Sequence, residues 1–238
     1  MDEIKRVRHK PVFVMVDVEA SGGNMHRHSL LSWAACVVTE EEISKDELRA
    51  KGFLYYDEIK PLDIRLTGGE NSKILSSSGR EFDWKAMQVG CRGLRCLEKF
   101  KGIPEYNTWS PLFDPAKVLE ELEKSGTPVY EATITFEKWL QQFNNEQDAT
   151  FLVVGCDTQF FDGPLIKNYF DLFIGDRKHA LCHSGENIKS RWAGVLRRVI
   201  ARKKSFGIKD DRAVKHCAED DAIHLAKLAR EAIYKNCR

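Results

Sequence analysis

Residues 11–18, PVFVMVDV, are almost wholly apolar and largely β-branched, and they run into a pair of acids, Asp17 and Glu19. Such a run fits a central strand covered on both faces. A side-chain period of two points Asp17 and Glu19 to the same face. Two anions leaving a buried strand together repel one another and lose solvation, a cost that a divalent cation removes. The SGG that follows suits a sharp turn where backbone comes close to a ligand. A lone D-x-E at a strand end more often marks a strand reaching solvent, so its meaning depends on what the rest of the chain supplies.

Two further stretches, 33–38 and 52–59, follow at short intervals and predict an antiparallel meander of three strands. Residues 61–111 hold GGENS, SSSGR and KGIP with little sustained periodicity, and read as a loop-rich insertion on the core. Helices are expected over 114–125, closed by Gly126, and around 136–143. FLVVG at 151–155 is another buried strand, and a helix with Pro164 in its first turn runs over 164–173. Residues 179–182 read as a short strand, 188–203 as a basic helix and 216–234 as a terminal one. Strands that pair early and then alternate with helices predict an α/β fold, a mixed sheet with helices on its faces. A chain of 238 residues, 42% apolar and 31% charged, is expected to form one domain with a full core, residues 1–10 serving as a basic arm.

Bulk charge identifies no partner, because 37 Lys and Arg stand against 36 Asp and Glu. A nucleic-acid reading has to rest on local patches. One candidate is RWAGVLRRVIARKK at 191–204, rich in Arg and Lys and free of acids, with residues 5–10 adding more; a solvated helix face is the competing explanation. No apolar run long enough to span a membrane appears, and the first residues lack the apolar region of a secretory signal. Seven cysteines at irregular spacing argue against a disulfide framework and for a reducing, intracellular setting, cytoplasm or nucleus. Cys91, Cys96, Cys182, His179 and His183 match no standard zinc spacing, and neither Cys156 nor Cys182 carries a hydrolase signature.

Two later segments add to the acidic pair. Asp162 follows the FLVVG strand in CDTQFFDGPL and precedes a proline-started helix, a place that suits a helix cap and also a metal ligand at a sheet edge. Asp157 competes for the same role. In the terminal helix, Cys217, Ala218, Ala222, Leu225, Leu228, Ala229, Ala232 and Ile233 define an apolar arc at 100° per residue. Asp221 falls inside that arc, whereas Glu219, Asp220, Lys227, Arg230 and Glu231 fall outside it. A core-facing carboxylate calls for a buried partner, and a metal is a natural one. His216, just ahead of the helix, has the right chemistry for a general base near neutral pH.

Taken in order, D-x-E, then F-D after an apolar strand, then H-x-x-x-x-D on a C-terminal helix resembles the DEDDh superfamily of 3′–5′ exonucleases, which have a ribonuclease H-like fold. The resemblance spans most of the chain, from Val12 to about Tyr234. It implies that Asp17, Glu19, Asp162 and Asp221 hold two Mg²⁺ or Mn²⁺ ions and that His216 activates the attacking water. It also implies single-stranded 3′ ends as substrate and 5′-mononucleotides as product. RNA is expected ahead of DNA on the ground that small stand-alone members often act on RNA. Ser21, Gly22, Met25, Phe160 and Phe161 are the candidate substrate contacts. A homodimer is a further expectation from the resemblance, although no seam is legible in the sequence. Asp157 departs from the asparagine that the family often has there, and residues 61–111 exceed its usual connection. A catalytically inactive nucleic-acid-binding module is the alternative, weakened by the presence of all five key residues.

Overall fold

The computed structural model describes residues 10–62, 81–144, 150–157, 161–175, 179–181, 185–198 and 200–235. The basic arm at 1–9, Phe160, Cys182 and His183 lie outside them. Strand β1 (Lys10–Ala20) is central, as its unbroken apolar character requires. It pairs antiparallel with β2 (Leu30–Val37), which pairs antiparallel with β3 (Leu54–Glu58). On its other edge β1 runs parallel to β4 (Thr150–Cys156), and β4 runs parallel to the two-residue β5 (Glu186–Asn187). The sheet order is β3-β2-β1-β4-β5, the expected meander with parallel strands added.

The helices are α1 (Lys45–Ala50), α2 (Trp84–Gly90), α3 (Pro115–Ser125), α4 (Val129–Gln141), α5 (Asp162–Phe173), α6 (Ile188–Val195) and α7 (Ala218–Arg230). The period of two in β1 sorts them onto the two faces. Val14, Val16 and Val18 pack with Ala132 and Phe136 of α4 and with Leu165 and Tyr169 of α5. Phe13 and Met15 point the other way, into Trp192 of α6 and Ala222, Leu225 and Ala229 of α7. Continuing the odd series places Asp17 and Glu19 on the α7 side. The Tyr169 hydroxyl accepts from the Leu30 backbone N–H at 2.8 Å and so ties α5 to β2.

Several local expectations are corrected. The link between β2 and β3 is not a plain turn: it carries α1, capped by Ser44, whose hydroxyl accepts from the Glu47 N–H. Helix α4 starts earlier than expected, directly after Pro128. Residues 179–181 form no strand, because the Ala180 N–H is taken by the Glu137 carboxylate of α4 at 2.9 Å; β5 falls later, at Glu186–Asn187. The basic helix stops at Val195, and Arg197 turns the chain with φ of 52°; a 3₁₀ turn, Lys203–Phe206, follows. Residues 81–111 hold more regular structure than their composition suggests. They carry α2 and two 3₁₀ turns, Arg95–Phe100 and Pro104–Tyr106. Their apolar side chains share a small core with Leu31 and α3, in which Met87, Phe113, Val118 and Leu122 are buried.

Among the described residues no helix is long and apolar enough to cross a membrane. Cys36, Cys91, Cys96, Cys156 and Cys217 are free thiols.

Glu219 and Arg230, expected outside the apolar arc of α7, are both buried. For Glu219 the cover comes in part from α1, which supplies Lys45 and Arg49, while Arg230 pairs with Glu42 at 3.0 Å, just ahead of α1. Glu219 accepts from Lys45 (2.7 Å), Arg49 (2.9 Å) and Arg95 (2.6 Å). Burial alone would raise its pKa, but these three cations outweigh it and hold the carboxyl below its ordinary value. Glu219→Gln is expected to lower the unfolding free energy by about 2–3 kcal/mol at neutral pH, read by urea titration. A depressed carboxyl stabilises above its unfolded pKa, so the gap between wild type and variant should close as the pH falls into and below the ordinary glutamate range.

Candidate active site

At the carboxyl edge of β1 and β4 lies a cleft of about 260 Å³, lined by Asp17, Glu19, Asp157, Phe161, Asp162, Lys203, Arg212, His216 and Asp221. Three separate elements deliver its four central acids. Asp17 and Glu19 come from the odd face of β1, opposite Ala34 and Ser32 of β2, with a register shift just after Glu19 that ends the regular ladder. Asp162 is the first residue of α5 rather than its cap, which is Phe161. Asp221 sits in the first turn of α7, its N–H bonded to the Cys217 carbonyl at 2.9 Å. Glu19, Asp162 and Asp221 are all less than a tenth exposed, and Asp17 is half-buried. Glu19 fits because its neighbour across the cleft is Gly90, where a Cβ would stand only 3.0 Å from Glu19 Oε2.

The crowding has an electrostatic signature. Burial, then the charges of Glu19, Asp162 and Asp221, push the Asp17 carboxyl well above its usual range. Burial, then Asp221 and Asp162, push Glu19 up to about 8. At neutral pH these groups therefore favour whatever neutralises them, a proton or a cation. Hard carboxylate oxygens converging from opposite walls suit Mg²⁺ or Mn²⁺ better than a softer ion. Glu19, His216 and Asp221 bring ligand atoms within 4.8 Å of one another.

His216 owes its position to the same carboxylates. Its φ of 61° is left-handed, a conformation rarely held without support. Asp221 Oδ2 accepts from the His216 backbone N–H at 3.2 Å, while Asp221 Oδ1 accepts from Arg212 at 2.5 Å. Arg212 is itself fixed by two bonds to Asp210, both 2.7 Å. The result is an exposed imidazole aimed into the cleft from a braced turn. Its pKa is lowered from the ordinary histidine value by burial, against Asp221, and further by the charges of Arg92, Arg212 and Lys203. Neutral imidazole is the form that can accept a proton.

Asp157, the competitor of Asp162, lines the cleft but is committed elsewhere. It pairs with Lys203 at 2.8 Å and Lys189 at 3.1 Å. Of the candidate substrate contacts, Phe161 lines the cleft. Ser21 does not face it: fully buried, its hydroxyl donates to the Glu81 carbonyl and accepts from the Ser29 N–H, bracing the turn after β1. Gly22 is required by packing, since a Cβ there would lie 2.3 Å from the His28 ring. Met25 lines a separate cavity of about 610 Å³ beside α5. Phe160 lies outside the described residues. The sequence reading missed Arg212, Arg92 and Gly90. Arg212 lies in a loop without periodicity, and nothing in KDDRAVKHC marks its guanidinium as turned inward.

No family model matches the chain. It is 26% identical over 222 residues to the Escherichia coli protein 3′–5′ DNA exonuclease Cap18, a match covering 93% of this chain and 89% of that protein. Among solved structures, the nuclease domain of 3′hExo, a DEDDh family member bound to rAMP, superposes with a TM-score of 0.58 at 10% identity, over 95% of this chain and 93% of that one. E. coli Exonuclease I, in a zinc-bound complex with single-stranded DNA, gives a TM-score of 0.55 at 14% identity over 96% of this chain. This chain spans about two fifths of Exonuclease I, 42% of its length. The fold is the ribonuclease H-like fold that the ordered motifs led one to expect, and the resemblance to DEDDh-type exonucleases extends from those motifs to the architecture.

A carboxyl whose folded pKa is raised stabilises the protein below its unfolded pKa and loses that contribution as the pH rises through the folded value. For metal-free protein, the thermal midpoint of wild type relative to Glu19→Gln is therefore expected to fall as the pH rises from about 4.5 to about 8. Millimolar Mn²⁺ should raise the wild-type midpoint at pH 8 and leave the variant nearly unmoved. A pH-independent difference would show that Glu19 is not strained by its neighbours.

Proposed function

From the resemblance to DEDDh-type exonucleases in motifs and fold, we propose that this chain is a metal-dependent 3′–5′ exonuclease that releases 5′-mononucleotides from single-stranded ends. The observation that carries this reading is the convergence of Asp17, Glu19, Asp162 and Asp221 with His216 in one cleft. Two Mg²⁺ or Mn²⁺ ions held by the four carboxylates would supply Lewis acidity toward the attacking water and the leaving 3′ oxygen. His216, neutral at physiological pH, takes the proton from that water. Arg212 and Asp221 hold the turn that aims His216. Phe161, at the cleft wall, offers an apolar surface to the terminal nucleotide.

The resemblance by itself favours RNA over DNA. The relative named a DNA exonuclease, matched over nearly its whole length, supports DNA as the better choice. RNA stays as the second reading, because the 3′hExo nuclease domain was solved with rAMP. The five named side chains do not decide between the sugars; contacts to the 2′ position do.

Purified protein is expected to release mononucleotides from the 3′ ends of matched single-stranded DNA and RNA with Mn²⁺ or Mg²⁺ and to stop in EDTA. Asp17→Ala should abolish the activity, and His216→Ala should reduce kcat by about 10²–10⁴-fold. The rate should decline on the acid side only below about pH 6.5, since His216 titrates below its ordinary value, and His216→Ala should remove that limb. Retained binding with no cleavage of either polymer would point instead to an inactive binding module.

A further inference from the structure

Beside the catalytic cleft runs a second, larger groove of about 970 Å³, and most of it belongs to the segment at 81–111. Its lining includes Arg92, Lys101, Tyr106 and Trp109 from that segment, together with 213–215, the residues immediately before His216. The groove and the cleft thus meet at the His216 turn. That junction is tight: a Cβ on Gly93 would lie 2.3 Å from Cys217, so the segment is docked on the start of α7.

Trp109 is 74% exposed, although large aromatic side chains normally find cover. It is held in place nonetheless. Its backbone N–H donates to the Asn107 carboxamide oxygen at 3.0 Å, and the Arg92 guanidinium stacks 4.1 Å from its ring centroid. Arg92 is anchored in turn by a bond to the Gln88 carbonyl at 3.1 Å. Phe100 and Tyr106, also in the lining, lie nearly parallel with ring centroids 4.0 Å apart. Neither Arg92 nor Lys101 forms an ion pair with a described residue. The balance of charge along the groove is positive, with Arg92, Lys101 and Lys215 against Glu98.

A fixed ring open to solvent, flanked by cations that have no ion-pair partner among the described residues, is what a single strand requires: every base has a face to stack and every linkage a phosphate. We propose that this groove binds the single-stranded stretch trailing behind the 3′ terminus, with bases stacked on Trp109 and phosphates against Arg92 and Lys101. This rests on the exonuclease reading, and it gives the segment at 81–111 a role in gripping substrate by length rather than in the chemistry.

The test is binding, measured separately from turnover. Fluorescence anisotropy would compare a labelled 12-nucleotide strand with a dinucleotide of matched sequence on Asp17→Asn protein, in which cleavage is blocked. Adding Trp109→Ala should weaken the 12-nucleotide strand about tenfold and the dinucleotide far less, narrowing the length preference; Trp109→Phe should restore most of it. Lys101→Glu should weaken the longer strand and reduce the salt dependence of its binding by about one phosphate contact. Unchanged thermal midpoints would establish that these surface variants fold. If Trp109→Ala and Lys101→Glu both bind the 12-nucleotide strand as tightly as the parent, the groove is not the strand path. Failure of the wild type to cleave would sink the exonuclease reading, while the binding comparison would still decide the groove.

Discussion

The constraint on which this structure turns is the crowding of four carboxylates at one edge of an otherwise apolar sheet. Asp17 and Glu19 cannot avoid each other, because the strand that buries Phe13 and Met15 on the α7 side must place the next two odd residues there as well. α7 then brings Asp221 to them, and α5 brings Asp162. A sheet edge can hold such a cluster only if the scaffold around it is rigid and the charge is balanced from outside. The rigidity comes from two cores that clasp β1 from opposite faces. Part of the balance comes from cations at the rim: Arg212 on Asp221, and Lys203 and Arg92 close enough to shift the groups around them. The remaining imbalance is expressed in the raised Asp17 and Glu19, which favour whatever neutralises them, a proton or a cation.

The same rim cations act on His216 in the opposite sense. Together with burial they keep its imidazole toward the neutral form, against Asp221, which favours the charged one. Acidity at the centre and basicity at the rim thus act together in one cleft: the first raises Asp17 and Glu19, the second lowers His216. Asp221 joins them, since one of its oxygens receives Arg212 and the other fixes the left-handed His216. A carboxylate in that position serves the geometry of His216 as well as the charge of the cluster.

How much of this could be read from sequence follows from the range of each interaction. The central strand, the meander and the inward face of Asp221 are set by periodicity within a few residues, and all three were legible. Helix α1 also left a local trace, the Ser44 cap followed by acids in the first turn, which the reading passed over. Others left none. The buried Glu219 depends on Lys45, Arg49 and Arg95, remote in the chain, and by its own helical phase it looks solvent-facing. The strand expected at 179–182 failed for a similar reason, because a carboxylate from α4 takes its backbone donor. Arg212 is the sharpest case: its importance lies wholly in where a loop without pattern happens to return.

Glu219 also bears on how the segment at 81–111 relates to the carboxylate cluster. The carboxylate lies two residues before Asp221 on α7, and its partner Arg95 begins the first 3₁₀ turn of that segment. Arg95 further stacks over Tyr56 of β3, and the backbone N–H of Cys96 donates to Glu58 at the end of the same strand. Polar contacts thus fasten the segment to β3 and to the first turn of α7, while its apolar side packs on α3 and Leu31. An appendage held only by its apolar side could shift in register without cost to the cleft. With Glu219 and Asp221 on one helical turn, displacement of Arg95 would disturb the carboxylate that orients His216. The groove beside the site and the site itself are in this way built on a common support.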